Sequence, residues 1–311
     1  MLNIQENVTL APYTTFKIGG PAKYFAEVKN EEELKEALEY VLKNNLAYFV
    51  LGGGSNILIS DQGFDGLVIK FQNSEFEINE TNVKCGSGIP LAKLVGLIAE
   101  NSLTGLEWAA GIPGTLGGAV RGNAGAFDSN MQNLIEKVRV CSIEECNIIC
   151  KYFFREECEF AYRNSIFKLN NNLLIVSAVL KLEKGDGMEI KKRINEIIEK
   201  RNQLHPQGIA NAGSFFVNPI VNNPELLEKF EKDSGKKFPD SMIPAGWLIQ
   251  EAGLTGKKIG GAMISEKHAN FIVNTGNATA EDVVMLASYI KQQVRDKYGI
   301  HLELEVNYVG F

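Results

Sequence analysis

Histidine is scarce in this chain: three occur among 311 residues, His205, His268 and His301. None precedes residue 205, and none is spaced with cysteine or carboxylates for a metal centre, or with serine and aspartate for a hydrolase triad. Basic residues are also in deficit, 32 Lys and Arg against 38 Asp and Glu, which leaves a net charge of -6. A chain of that sign suits a long nucleic acid poorly, because phosphate neutralisation needs a basic surface. No stretch approaches the roughly 20 apolar residues needed to span a bilayer, so no membrane partner is expected. The opening MLNIQENVTLAPYTTFKIGG has no basic start followed by an apolar run, so a cytoplasmic protein without a secretory signal is expected. There are five cysteines, Cys85, Cys141, Cys146, Cys150 and Cys158. The odd count argues against a disulfide framework, and the spacing lacks the C-x2-C pairs of zinc and iron–sulfur sites. Free thiols buried in a β-rich stretch, and no metal, are the expectation.

What is present is an ordinary globular balance, 45% hydrophobic and 23% charged, with a length that suggests about two domains. Residues 31–45 place Leu34, Leu38, Val41 and Leu42 on one helical face, with Asn30 placed to cap. AYFVL, ILIS and LVIKF read as strands around the turn Gly52-Gly53-Gly54-Ser55-Asn56. Pro90 opens a helix carrying Leu91, Leu94, Val95 and Ile98. LLIVSAVLKL at 173–182 is a buried strand, and Lys184-Gly185-Asp186-Gly187 is the best domain boundary by turn chemistry. Helices follow over about 188–203 and from Thr279 to about Tyr298, the second with Asp282 in the capping-box position. The alternation in IHLELEVNYV predicts a closing strand, with Glu303 and Glu305 on the face opposite the apolar one. Strands and helices mix without a regular βαβ beat, so the class is α+β.

Two glycine-rich segments carry the chemical signal. In Gly52-Gly53-Gly54-Ser55-Asn56, successive glycines let N–H groups converge on one point, as a phosphate oxygen requires; a plain tight turn is the other reading. The Gly-Lys-Ser/Thr ending of a phosphate-binding P-loop is missing, and after Gly86 and Gly88 Leu91 replaces the third glycine of a dinucleotide fingerprint. Seven glycines then fall between Gly105 and Gly125, too apolar for a flexible linker and too glycine-rich for a plain helix. Ile112-Pro113-Gly114-Thr115-Leu116-Gly117-Gly118-Ala119 lies within it. Two such close-approach loops suit a long ligand with a phosphate middle.

VLGGGSNILISDQGFDGLVI followed by GLEWAAGIPGTLGGAVRGNAGAF resembles the FAD-binding domain of the vanillyl-alcohol oxidase and p-cresol methylhydroxylase type. TTFKIGGPA at 14–22, CEFAYRNSIFK at 158–168, NAGSFFVNP at 211–219, AGWLIQEAGLTGKKIGGAMISEKHANFIVN at 245–274 and LELEV at 302–306 resemble the UDP-N-acetylenolpyruvoylglucosamine reductase family over nearly the whole chain. The short interval between Arg163 and Ser214 resembles the variant without an extra tyrosine-bearing loop.

The resemblance implies an FAD domain over 1–184 and an α+β substrate domain over 186–311. It implies non-covalent FAD, NADPH as co-substrate, UDP-N-acetylglucosamine enolpyruvate as the small-molecule substrate, and a monomer. Cofactor contacts are implied at Gly52, Gly53, Gly54, Ser55, Asn56, Ile112, Pro113, Gly114, Thr115, Gly118, Ala119 and Gly125. Arg163 matches the catalytic arginine, whose planar fork suits a carboxylate bearing developing charge. Ser214 matches the proton donor, and a carbanion is basic enough to take a hydroxyl proton. Glu305 matches the family's glutamate, where the strand pattern alone leaves Glu303 equally open. Tyr162, Asn218 and Gln250 match substrate contacts; His268 and Asn270 match without an assigned duty. Val217 and Thr255 stand where the family carries lysine, and each removes a cation that would meet nucleotide charge.

Two other functions fit the same fold. An oxidase passing electrons to oxygen is one; with no histidine before residue 205, a histidyl flavin tether within the flavin loops is excluded, and a cysteinyl one is left open. A nucleotide-binding module without turnover is the other, against which stands the presence together of Arg163, Ser214 and Glu305.

Overall fold

A computed structural model describes residues 2–235 and 239–311. The chain forms two compact units, each built from separate stretches. The first comprises residues 1–8, 22–53 and 64–203; the second comprises 9–21, 54–63 and 204–311. This division differs from a single break at 184–186, and burial explains it. Phe16, Ile18 and Leu58, from early in the chain, lie in the hydrophobic core that Leu248, Val283 and Ile290 also form.

In the first unit, the strands Pro21–Val28 and Ala47–Leu51 flank Phe64–Phe71 in parallel. The helix Glu31–Asn44 supplies the crossover that parallel pairing requires. Asn30 caps it as expected, its side chain accepting from the Glu33 N–H at 2.8 Å. Leu34, Leu38 and Val41 pack from this helix among Leu67, Ile69, Leu174 and Val176. The last two belong to a second sheet of five antiparallel strands, in the order Asn147–Phe154, Ile135–Glu144, Leu174–Lys181, Asn82–Gly86, Phe76–Asn79. The helix Leu91–Glu100 presents Leu91, Leu94, Val95 and Ile98 to a separate core cluster with Val138 and Leu180 from that sheet. The helix Gly187–Leu204 closes the unit; Asp186, read above only as part of a turn, accepts from the Met188 and Glu189 N–H groups.

The cysteine expectation needs correction. Cys141 and Cys150 form a disulfide. They are direct cross-strand partners in the hairpin Ile135–Glu144/Asn147–Phe154, so the register brings them within bonding reach. Cys85 and Cys158 are buried thiols as anticipated, while Cys146, in the hairpin turn, is exposed.

In the second unit a four-stranded antiparallel sheet runs in the order Asn211–Ser214, Phe271–Asn274, Ala262–Ile264, Lys258–Ile259. The helices Pro224–Ser234, Ala245–Glu251 and Ala280–Tyr298 belong to the same unit. Thr279 and Asp282 make the reciprocal capping box, with bonds of 3.0 and 3.1 Å. The closing alternation makes a regular strand only over Asn307–Val309, paired in parallel with Ile57–Ile59. Residues 303–305 are instead bonded to the segment after Ser214 and never enter a continuous ladder. Among the described residues no helix is long and apolar enough to cross a membrane.

Candidate active site

The glycine loops of the first unit pack backbone against backbone. A Cβ on Gly53 would stand 2.5 Å from the Gly114 Cα, and one on Gly52 would stand 2.7 Å from the Thr115 Oγ1. A side chain at Gly53 would force the loops apart, and one at Gly52 would displace the Thr115 hydroxyl. The 114–117 loop is in turn pinned to residues 87–91, through Leu91 N–H to Gly114 O at 3.0 Å and Gly117 N–H to Ser87 O at 2.8 Å. Gly118 is exposed and a Cβ there would approach only the Thr115 Oγ1, so the backbone is accessible beside the packed loops. Gly125 sits where a Cβ would meet Ser129 O at 2.7 Å, in the short hairpin Gly125–Ala126/Ser129–Asn130. Ile112 and Pro113 lead into this segment, and Ala119 is buried beneath it.

Lys70 was not singled out from the sequence. Its ammonium donates to the Gly52 carbonyl, and burial lowers its pKa. No motif marks Lys70; it follows four consecutive buried residues in the strand Phe64–Phe71. Exposed backbone, close-packed glycines and a half-buried cation fit a dinucleotide cofactor such as FAD, with Gly52, Gly53, Lys70, Gly114, Thr115 and Gly118 to hold it.

Tyr162 and Arg163 form the corner of a tight turn, closed by reciprocal 3.1 Å bonds between Ala161 and Asn164. Arg163 has φ 54°, a left-handed conformation uncommon outside glycine and often found at functional positions. The turn is fastened at several points. Asn123 donates to Ala161 O at 2.9 Å, Lys168 to Arg163 O at 3.0 Å, and the Ser165 hydroxyl to Arg121 O at 2.6 Å. Arg201, which sequence reasoning passed over, lies in the same unit. Burial and then the charge of Arg163 lower its pKa, so the two guanidiniums feel one another. Its guanidinium lies 5.4 Å from the Phe127 ring centre. Two cations sharing one neighbourhood favour an anionic ligand.

In the second unit Ser214 ends the strand Asn211–Ser214. Asn211 pairs with Val273 and Ser214 with Phe271, so this strand takes one residue more than its partner. Gly213, at φ 79°, absorbs the bulge, and bulges of this kind re-aim the side chain that follows. The segment after Ser214 bonds on both sides. Phe215 N–H donates to Asn270 O at 2.7 Å, and Glu305 N–H donates to Phe215 O at 2.9 Å. Val217 N–H donates to Glu303 O at 2.9 Å, and Phe216 bridges Leu304. Ser214 and Glu305 are thereby carried on directly bonded stretches of chain, and both are part-buried.

The rest of the first glycine motif serves this unit. Gly54 has φ 63°, and a Cβ on it would stand 2.2 Å from Tyr13 O. Its carbonyl accepts from Thr15 N–H at 3.0 Å, and the Thr15 hydroxyl donates to Asn211 O at 2.7 Å. Ser55 is part-buried beside it. Asn56 donates to Glu305 O at 3.2 Å and accepts from Asn307 N–H at 3.1 Å. Asn56, expected to reach a cofactor, holds the chain that bears Glu305.

Asn218 accepts at 3.0 Å from the N–H of Ala245, the first residue of the helix carrying Gln250, which is exposed. His268 packs on that helix, where a Cβ on Gly246 would meet its ring at 3.0 Å. Its Nδ1 accepts from Asn270 N–H at 3.2 Å, and burial lowers its pKa, so a neutral structural imidazole results. Thr255 is exposed, and Lys257 lies over the Tyr289 ring at 5.5 Å. Glu31, Cys141 and Cys150 gather donor atoms within 4.8 Å. The two sulfurs are joined to each other and the carboxylate is forked to Arg139, so this cluster reads as a crosslinked sheet edge.

Comparison with known proteins bears on both units. Residues 22–144 match a family described as an FAD binding domain. Residues 205–309 match the UDP-N-acetylenolpyruvoylglucosamine reductase, C-terminal domain. The UDP-N-acetylenolpyruvoylglucosamine reductase of Anoxybacillus flavithermus is 40% identical over 309 residues, covering 99% of this chain and 94% of its own. The enzyme of that name from Carboxydothermus hydrogenoformans is 40% identical over 313 residues, with the same coverage of 99% and 94%. The crystal structure of UDP-N-acetylenolpyruvylglucosamine reductase from Thermus caldophilus superposes with a TM-score of 0.77 at 34% identity, covering 99% of this chain and 100% of that one. With identity at this level sustained over its whole length, the chain belongs to the UDP-N-acetylenolpyruvoylglucosamine reductase family.

Proposed function

We propose that this protein reduces UDP-N-acetylglucosamine enolpyruvate to UDP-N-acetylmuramate with NADPH, through non-covalent FAD, in the synthesis of peptidoglycan precursor. It acts as a cytoplasmic monomer, with cofactor binding chiefly in residues 1–184 and substrate binding chiefly in 186–311. FAD held at the glycine loops would supply the hydride chemistry that links NADPH to C3 of the enolpyruvyl group. The protein's task is to bind the negative charge that then develops at C2 and in the carboxylate, and to protonate C2. Arg163 meets the carboxylate with the planar two-donor fork of its guanidinium. Arg201 adds a second positive charge to the same unit, which favours a substrate bearing a carboxylate and a diphosphate. Ser214 Oγ gives its proton to C2, whose carbanion is the stronger base. Glu305 holds the enolic carboxylate end, and Tyr162, Asn218 and Gln250 contact the nucleotide sugar.

The observation that carries this reading is the pairing of the 214–217 segment with residues 303–305, which ties the chain positions of donor and glutamate together. Non-covalent flavin is supported by the state of the thiols. Burial pushes Cys85 and Cys158 up to about 12, far from the thiolate a flavin tether needs, and Cys141 and Cys150 are joined, which leaves only the exposed Cys146 of the hairpin turn as a free accessible thiol.

Anaerobic stopped-flow spectroscopy tests the proposal by following the flavin band near roughly 450 nm. NADPH is expected to bleach it, and the enolpyruvyl sugar to restore it. Bleaching without recovery would move the substrate assignment to another electron acceptor. A protein that takes up no flavin would remove the cofactor assignment.

A further inference from the structure

We propose that Asn270 is a positioning residue for protonation at C2, acting by fixing the peptide units that follow Ser214. The inference rests on the reading of Ser214 as proton donor. The strand Asn211–Ser214 stops pairing regularly at Ser214 and Phe271. Beyond that point Asn270 takes over with both its main chain and its side chain. Its carbonyl accepts from Phe215 N–H at 2.7 Å. Its carboxamide oxygen accepts from Phe216 N–H at 3.0 Å, and its amide nitrogen donates to Phe216 O at 2.9 Å. A carboxamide is the side-chain group that offers an acceptor and a donor side by side, so it imitates a strand neighbour where the strand has turned away.

The surroundings give these bonds consequence. Asn270 is 3% exposed and Phe216 1% exposed, so water cannot replace either partner. On its other side the same segment bonds to residues 303–305. Asn270 therefore closes one edge of a three-layer arrangement, Asn270 against Phe216 against Leu304, on which both Ser214 and Glu305 ride. The His268 Nδ1 accepts from the Asn270 N–H at 3.2 Å and the Phe271 N–H donates to His268 O at 2.9 Å, which fixes the turn that presents the carboxamide. The bulge at Gly213 lets Ser214 leave the sheet, and the Asn270 clamp restricts where it goes.

The test compares N270L, N270D and S214A holoenzymes. Leucine removes both carboxamide bonds while keeping the branched shape, in a somewhat larger side chain. Aspartate keeps the acceptor for the Phe216 N–H and sets a carboxylate oxygen against the Phe216 carbonyl. In N270L, hydrogen exchange at the Phe216 amide should accelerate. Flavin bleaching by NADPH should stay at the wild-type rate. Reoxidation by the enolpyruvyl sugar should slow by roughly 10- to 100-fold, as a displacement of about 1 Å does, with a raised solvent deuterium isotope effect. N270D should show the same split between the half-reactions, with the amide still protected. The double variant N270L/S214A should be no slower than S214A. If N270L fails to fold, N270D carries the test. Wild-type reoxidation in whichever variant folds, or equal losses in both half-reactions, would overturn the positioning role. Wild-type turnover in S214A would instead remove the proton-donor reading beneath it.

Discussion

The side-chain amide of Asn56 donates to the main-chain carbonyl of Glu305 at 3.2 Å. A residue from the glycine turn thus steadies the chain of the glutamate assigned to the enolic carboxylate. Asn56→Ala should lower turnover about three- to tenfold, the worth of a bond of about 1 kcal/mol, while FAD affinity falls less. Steady-state kinetics beside flavin titration separate the two; a variant that loses flavin and keeps per-flavin turnover would assign Asn56 to the cofactor alone.

Gly53→Ala should act in the opposite sense. The new Cβ would meet backbone, the Gly114 Cα at 2.5 Å, and backbone cannot step aside as a flexible side chain does. Flavin content at purification should drop several-fold, since overpacking costs about 1–3 kcal/mol. Wild-type flavin content would show that the loops separate at little cost.

Ser214→Ala should leave flavin reduction by NADPH intact and abolish most turnover with the enolpyruvyl sugar. Arg163→Lys should also be crippled, because an ammonium cannot present two parallel donors to a carboxylate. Rapid-reaction measurement of each half-reaction checks both.

Legibility from sequence was uneven, and the reasons are physical. The caps at Asn30 and Thr279–Asp282 were readable because a cap is a local contract among four consecutive residues. The glycine segments were readable because glycine marks close approach, and the loops do approach at Gly53 and Gly114. The disulfide was not, since Cys141 and Cys150 become neighbours only through hairpin register. The makeup of the second unit was hidden too: nothing local in TTFKIGG shows that Phe16 and Ile18 pack with Val283 and Ile290. For the site, the family motifs gave Arg163, Ser214 and Glu305 as expectations. Lys70 and Arg201 carry no motif, and only burial and neighbouring charge single them out.

Of five cysteines, three should react with a thiol reagent in denaturant without reductant, and five after reduction. Reduction should lower stability by about 2–3 kcal/mol, from the small loop the bond closes. Denaturant melts with and without reductant check this; five reactive thiols at the outset would exclude the bond.

The Glu31 carboxyl is lowered to about 2, chiefly by its fork to Arg139. A carboxyl depressed on folding adds stability that is complete above its unfolded pKa, near 4.5, and lost as pH falls toward 2. Acid titration of folding should therefore show a component in that window, and Glu31→Gln should flatten it. An unchanged acid profile in the variant would show that the pair contributes nothing.

Among the described residues, Ile57–Ile59 finds its parallel partner in Asn307–Val309, far later in the chain. At synthesis rates of about 5–20 residues per second, the early strand waits roughly 10–50 seconds for that partner to leave the ribosome. During that interval an Ile-Leu-Ile edge is open to any other strand nearby. Completion of the second unit therefore trails synthesis of the first, whose stretches end at residue 203, and its yield in a crowded cell depends on what shields that edge meanwhile.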